Sequence, residues 1–69
     1  MTKIDREVLV MLSLSCRRFG ELRRKLRCHQ QVLSRSLRRL RDRGLVRKED
    51  GRRGKWCITE EGRQVLLGG

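Results

Sequence analysis

Gln30, Gln31, Ser34, Arg35 and Arg38 lie close together in the chain, and all carry side chains that hydrogen-bond nucleobase edges or phosphates. An amide both donates and accepts, which suits adenine. A guanidinium pairs bidentately with guanine or with phosphate. At ~100° per residue, Gln31, Ser34, Arg35, Arg38 and Asp42 project from one side of a helix over residues 30–43, while Leu33, Leu37 and Leu40 occupy a narrow sector opposite. Such a helix can be buried on one side and read a groove with the other. Gln30, Gln31, Ser34, Arg35 and Arg38 are expected on base edges, since all but Arg38 sit in the N-terminal half, where a recognition helix penetrates deepest, and Arg38 follows Ser34 and Arg35 on the same side. Arg39 is expected on phosphate. The plainer alternative is an ordinary solvated helix face.

Other chemistry finds little support. The chain has one His, no Ser-His-Asp arrangement and no phosphate-cradling glycine loop, so no enzyme is expected. His29, at a helix start, reads as a cap or an exposed side chain. Cys16, Cys28 and Cys57 are odd in number and include no C-x-x-C, which argues against a disulfide framework and a zinc ribbon. With His29 they make a four-ligand site only if the fold gathers them, and their spacing does not ask for it. No metal and no cofactor are expected. Buried, inert thiols are the favoured reading, and a Cys16–Cys28 bridge stays open. Single-strand recognition by stacking lacks its tools, since the only aromatic residues are Phe19 and Trp56.

Composition points the same way as the helix. Nineteen Lys and Arg against eight Asp and Glu give a net charge of +11, and fifteen of the nineteen are Arg. Such an excess repels itself in a compact state, and a polyanionic partner neutralises it. Thermophile surfaces carry both signs in networks, whereas this one is lopsided. With 69 residues, the core must come from eleven Leu, five Val, two Ile, Met11, Phe19 and Trp56. That suffices for a single domain over 1–69, not for a deep cleft. No apolar run reaches ~18 residues and no signal peptide is evident, so a cytoplasmic, nucleoid-associated protein is expected.

The elements that would position the polar face can be read in order. Residues 3–15 form a first helix, with Thr2 as N-cap and Asp5 in the first turn. Ile4, Val8, Met11, Leu12 and Ser15 share one face, and Leu9, Val10 and Leu14 spread apolar character around the rest. A helix so greasy belongs at the centre of the domain, against a second subunit, or both. Residues 16–19 are a connector, at most a very short strand. A short helix over 21–27 buries Leu22 and Leu26, and a turn of about three residues leads into the 30–43 helix, as in a helix-turn-helix. Arg17, Arg18, Arg23 and Arg24 precede or lie on the short helix and would track the DNA backbone. Asp5 and Asp42 read as local salt-bridge partners.

Gly44 closes the long helix in a left-handed conformation. Residues 45–59 then form a β-hairpin with a D-G turn, in which Trp56 and Ile58 face inward and Cys57 outward. Arg52, Arg53 and Lys55 cluster at its tip, where an Arg can enter a narrow minor groove or meet phosphates. Thr59 caps a last helix over 60–67. The fold class is mainly α with a small hairpin (α+β), a winged helix-turn-helix in the order α-(β)-α-α-β-β-α.

From Phe19 onward the chain resembles the MarR and HxlR types of prokaryotic transcription regulator. Phe19-Gly20-Glu21-Leu22-Arg23 is similar to the family's RF-x-E-L start of the second helix. Val32-Leu33-Ser34 with Leu37, Leu40 and Gly44-Leu45-Val46 resembles its recognition helix and exit. Trp56-Cys57-Ile58-Thr59-Glu60-Glu61-Gly62 resembles its y-x-L-T-x-x-G at the end of the wing. The resemblance implies a third helix in the major groove, a wing on the flanking minor groove or phosphates, and a homodimer on a two-fold-symmetric operator. The families dimerise through long additional helices. Here the contact is expected from Val8, Leu9, Met11 and Leu12 with Val65, Leu66 and Leu67. The reading is a double-stranded DNA-binding transcription regulator. Its rivals are a non-specific chromosomal architectural protein and a winged-helix interaction module in a transcription, replication or ribosomal assembly.

Overall fold

A computed structural model describes residues 1–49 and 54–68. The elements run α1 (Lys3–Leu14), β1 (Arg17–Arg18), α2 (Phe19–Leu26), α3 (Gln30–Asp42), β2 (Val46–Lys48), β3 (Lys55–Ile58) and α4 (Glu60–Gly68). Four helices and a three-stranded antiparallel sheet in the order β1-β3-β2 make a winged helix-turn-helix. Among the described residues no helix is long and apolar enough to cross a membrane.

Local chemistry sets most boundaries. Thr2 Oγ1 accepts the Asp5 amide at 3.3 Å and starts α1. His29 Nδ1 accepts the Gln31 amide at 3.2 Å, so the single histidine caps α3. At the other end of α3, the Gly44 amide donates to the Arg41 carbonyl and the Leu45 amide to the Leu40 carbonyl, both at 2.9 Å. This is a Schellman closure, and Gly44 takes the left-handed backbone it requires, at φ 75°. Thr59 Oγ1 accepts the Gly62 amide at 3.1 Å and donates to the Gly44 carbonyl at 2.6 Å, tying the start of α4 to the end of α3. The second helix begins two residues earlier than the pattern predicts, at Phe19. The reason is that the Glu21 carboxylate reaches back to the Arg18 amide at 3.4 Å.

The α2–α3 turn has no glycine, and Arg27 takes the left-handed conformation instead (φ 51°, ψ 42°). A β-carbon there costs roughly 1 kcal/mol, part of which glycine returns through its looser unfolded chain. Arg27→Gly is therefore expected to stabilise the fold by about 0.5–1 kcal/mol. The urea midpoint should rise with no change in slope, and a lower midpoint would contradict it.

The core is one cluster of Val8, Leu9, Leu12, Leu22, Leu33, Leu37, Leu40, Leu45, Val46, Trp56 and Ile58. Helix α1 lies at its centre, packed on α2, α3, α4 and β3. This corrects the expected dimer face. Val8, Leu9 and Leu12 are buried in the chain's own core, and Met11, Val65 and Leu66 are half-buried against it. Val10, Leu14 and Leu67 are the exposed apolar residues of α1 and α4. The buried stripe of α1 is Asp5–Val8–Leu9–Leu12, rotated from the stripe through Ile4 and Met11, because α1 must meet helices and sheet at once.

The cysteines also depart from expectation. Arg17 pairs with Trp56 and Arg18 with Lys55. One further step of that register sets Cys16 opposite Cys57, and the two form a disulfide, with Cα atoms 4.4 Å apart. The expected inert thiols and the open Cys16–Cys28 bridge give way to this cross-strand pair, and Cys28 alone stays free. Trp56 and Ile58 do point inward, with the Lys48 ammonium 5.7 Å from the Trp56 ring. Cys57 points outward as expected yet is only 2% exposed, because it lies on the central strand under the Cys16 bridge.

Candidate nucleic-acid interface

Helix α3 buries Leu33, Ser36, Leu37 and Leu40 and leaves Gln30, Gln31, Ser34, Arg35 and Arg38 exposed. The polar side chains read from the sequence thus share one solvent-facing surface, and the protein's own fold does not cover Arg35 or Arg38. On α2, Arg23 and Arg24 are exposed, as is Arg18 on β1. Lys55 is exposed at the start of β3, while Arg52 and Arg53 lie outside the described residues.

Two arginines expected on the DNA backbone have protein partners. Arg17 is half-buried, with its guanidinium 3.8 Å from the Glu21 carboxylate and its Nε buried without a partner. Arg39 is turned onto Asp5. Its Nη2 donates to Asp5 Oδ1 at 2.8 Å and its Nε to Oδ2 at 3.3 Å, a bidentate pair that holds the guanidinium against α1. In the free chain Arg39 is thus held by Asp5. The Arg39 side chain remains 44% exposed, at the edge of the polar face.

Asp5 is the residue that the sequence undervalues. It is buried, and besides Arg39 it accepts the fully buried Ser36 hydroxyl at 2.5 Å. Burial alone would raise the pKa of this carboxyl. Hydrogen bonds from Arg39, Ser36 and Thr2, together with the Arg39 charge, outweigh burial and hold it below its ordinary 3.8. Asp5 is thus no local partner but a clamp across more than thirty residues, holding α3 against α1 beside the leucine stripe that turns the polar face outward. A signal was present. Asp5 and Ser36 each fall on an otherwise apolar stripe, and polar groups on facing core stripes are paired.

Further cations that the motifs did not single out are exposed. Arg41 and Arg43 lie at the end of α3, Lys25 and Arg27 at the end of α2, and Arg47 and Lys48 on β2. Arg47 sits 3.8 Å from Glu49, an exposed pair of little energetic weight.

Residues 3–67 match the HxlR-like helix-turn-helix family. The structure superimposes on the transcriptional regulator BldR from Sulfolobus solfataricus with a TM-score of 0.93 and 28% identity, covering 99% of this chain and 52% of that one. It matches Sco5413, a MarR family transcriptional regulator from Streptomyces coelicolor, with a TM-score of 0.91 and 27% identity, over 99% of this chain and 51% of that one. ZitR from Lactococcus lactis, at 18% identity and a TM-score of 0.91 over 99% of this chain and 49% of that one, shares the fold. The chain spans about half the length of these solved proteins. No curated protein matches it in sequence.

Proposed function

Because the chain belongs to the HxlR-like helix-turn-helix family, we propose that it binds double-stranded DNA as a transcription regulator rather than acting as an enzyme. The observation that carries this reading is the exposed face of α3, with Gln31, Ser34, Arg35 and Arg38 outward while Leu33, Leu37 and Leu40 are buried. Inserted in a major groove, these four side chains and Gln30 would meet base edges. Arg18, Arg23 and Arg24 would neutralise phosphates, and the wing with Lys55, Arg52 and Arg53 would reach the flanking minor groove or backbone. The net charge of +11 supplies affinity that is independent of sequence. A homodimer on a two-fold-symmetric site fits the exposed Val10, Leu14 and Leu67, with Met11 half-buried next to Val10.

Two measurements test the reading together. Affinity for duplex DNA should fall with salt, with a logarithmic slope of about −0.9 per phosphate neutralised. Arg35→Ala and Arg38→Ala should each weaken a selected site by about 10-fold or more and relax preference at one base pair, whereas Arg23→Ala should weaken all sequences alike. Affinity indifferent to salt, or equal competition by single strands, would remove the proposal. Selection from random duplexes separates the architectural rival: an enriched, roughly palindromic motif excludes it, and the absence of any motif favours it.

A further inference from the structure

The outer face of the sheet collects three metal-ligating side chains that DNA binding does not use. Cys16, Cys57 and Glu49 offer two sulfurs and a carboxylate oxygen that all lie within 4.8 Å of one another, the one such group among the described residues. The register explains the convergence. Cys57 on the central strand stands beside Arg47 of β2 and opposite Cys16, next to β1, and Glu49 follows Arg47 by one pleat on the same face. The Glu49 amide donates to the Lys55 carbonyl at 2.8 Å, so the backbone that carries the carboxylate is held by the ladder.

We propose that, once the disulfide is reduced, Cys16, Cys57 and Glu49 form a binding site for a thiophilic divalent cation, zinc(II) by preference. The donor set argues for it: two thiolates and one carboxylate suit zinc, with water in the fourth tetrahedral position. The geometry argues likewise. Zn–S bonds of about 2.3 Å set two sulfurs about 3.8 Å apart, a separation that cross-strand neighbours adopt with little backbone movement.

Charge adds a third reason. Two thiolates, one carboxylate and Zn²⁺ sum to −1, and the register puts Arg47, Arg18 and Lys55 on this face, where their charge balances the complex. Glu49 gives up only its exposed 3.8 Å contact with Arg47 to turn inward.

Reduction proceeds by thiol–disulfide exchange with a dithiol. Its thiolate attacks Sγ of Cys16, the exposed partner, and the Cys57 sulfur leaves as a thiolate. The second thiol of the reductant then closes on the first, releasing Cys16 and leaving a cyclic disulfide. The protein gains two electrons and two protons, and the thiol protons leave to solvent as zinc binds. Disulfide and zinc complex are therefore alternative cross-links of the same two strands at the base of the wing.

The test uses the full chain, reduced with a dithiol, desalted without oxygen and titrated with zinc(II) and, for spectroscopy, cobalt(II). Reduced wild type and Cys28→Ser should bind one zinc per chain. Their cobalt forms should show thiolate-to-cobalt charge transfer and tetrahedral d–d bands. Zinc should raise the unfolding midpoint of the reduced protein and leave that of the oxidised protein unchanged. Cys16→Ser and Glu49→Gln, both at exposed positions, should retain the helical spectrum and bind at least 10-fold more weakly. Failure of reduced wild type to bind zinc stoichiometrically, a cobalt spectrum without thiolate bands, or undiminished binding by Glu49→Gln would each overturn the site. None of these readouts depends on DNA.

Discussion

Asp5→Ala will destabilise the fold by about 3 kcal/mol. A fully buried pair broken from one side costs about 3–5 kcal/mol, and the partial exposure of Arg39 argues for the lower end. The substitution also removes the acceptor of the buried Ser36 hydroxyl, which has no other hydrogen-bond acceptor among the described residues. For a domain of this length, with total stability on the order of 3–10 kcal/mol, that is a large share. Asp5→Asn keeps an acceptor for Ser36 while losing the charge, so it should cost about half as much.

The pH dependence gives a second check on the same residue. The folded-state pKa of Asp5 lies below its unfolded value, so its contribution is complete above the unfolded value and is lost as pH falls through the folded one. The stability margin of wild type over Asp5→Asn, measured by denaturant unfolding, should be constant above about pH 5 and shrink below about pH 4. A margin unchanged down to pH 2, or an Asp5→Ala variant as stable as wild type, would show that the clamp carries no energy. Because Asp5 orients α3 through Ser36 and Arg39, the folded fraction of Asp5→Asn should also discriminate less well between DNA sites.

Gly62→Ala is the second large effect. A β-carbon at this position would sit 2.2 Å from the Leu45 carbonyl oxygen and 2.6 Å from Ile58 Cγ1. Neither neighbour yields easily. The Leu45 carbonyl accepts the Thr59 amide at 3.0 Å, and Ile58 is in the core. Helix α4 must lift off Leu45 and Ile58, at a cost of about 3 kcal/mol, against which the helical preference of alanine returns less than about 1 kcal/mol. Gly20→Ala provides the contrast. It too is helical, has nothing within 4 Å of its added carbon, and should stabilise by up to about 1 kcal/mol. Opposite signs in parallel urea unfolding would establish close approach as the reason for Gly62. Equal signs would refute it.

Local sequence determines structure most fully where a single residue's chemistry acts on its own neighbours. Thr2, His29 and Thr59 cap helices, and Gly44 closes α3, because each interaction spans two to four residues and needs no knowledge of the rest of the fold. The α3 stripe of Leu33, Leu37 and Leu40 was legible for a related reason: helical periodicity fixes which side chains share a face. Helix α1 is less legible. With apolar residues on every side, periodicity left its rotation open, and the partners on α3, α4 and β3 selected Asp5, Val8, Leu9 and Leu12 for burial.

By its local order alone, then, the chain determined the succession of helices and strands, the outward direction of Gln31, Ser34, Arg35 and Arg38, and a strong excess of positive charge. Tertiary structure decided what joins distant segments: Arg39 to Asp5, Cys16 to Cys57, and Gly62 against Leu45. Those choices depend on strand register and on how far one helix turns against another. Both are set by the packing of the whole core, and no spacing within one segment records them.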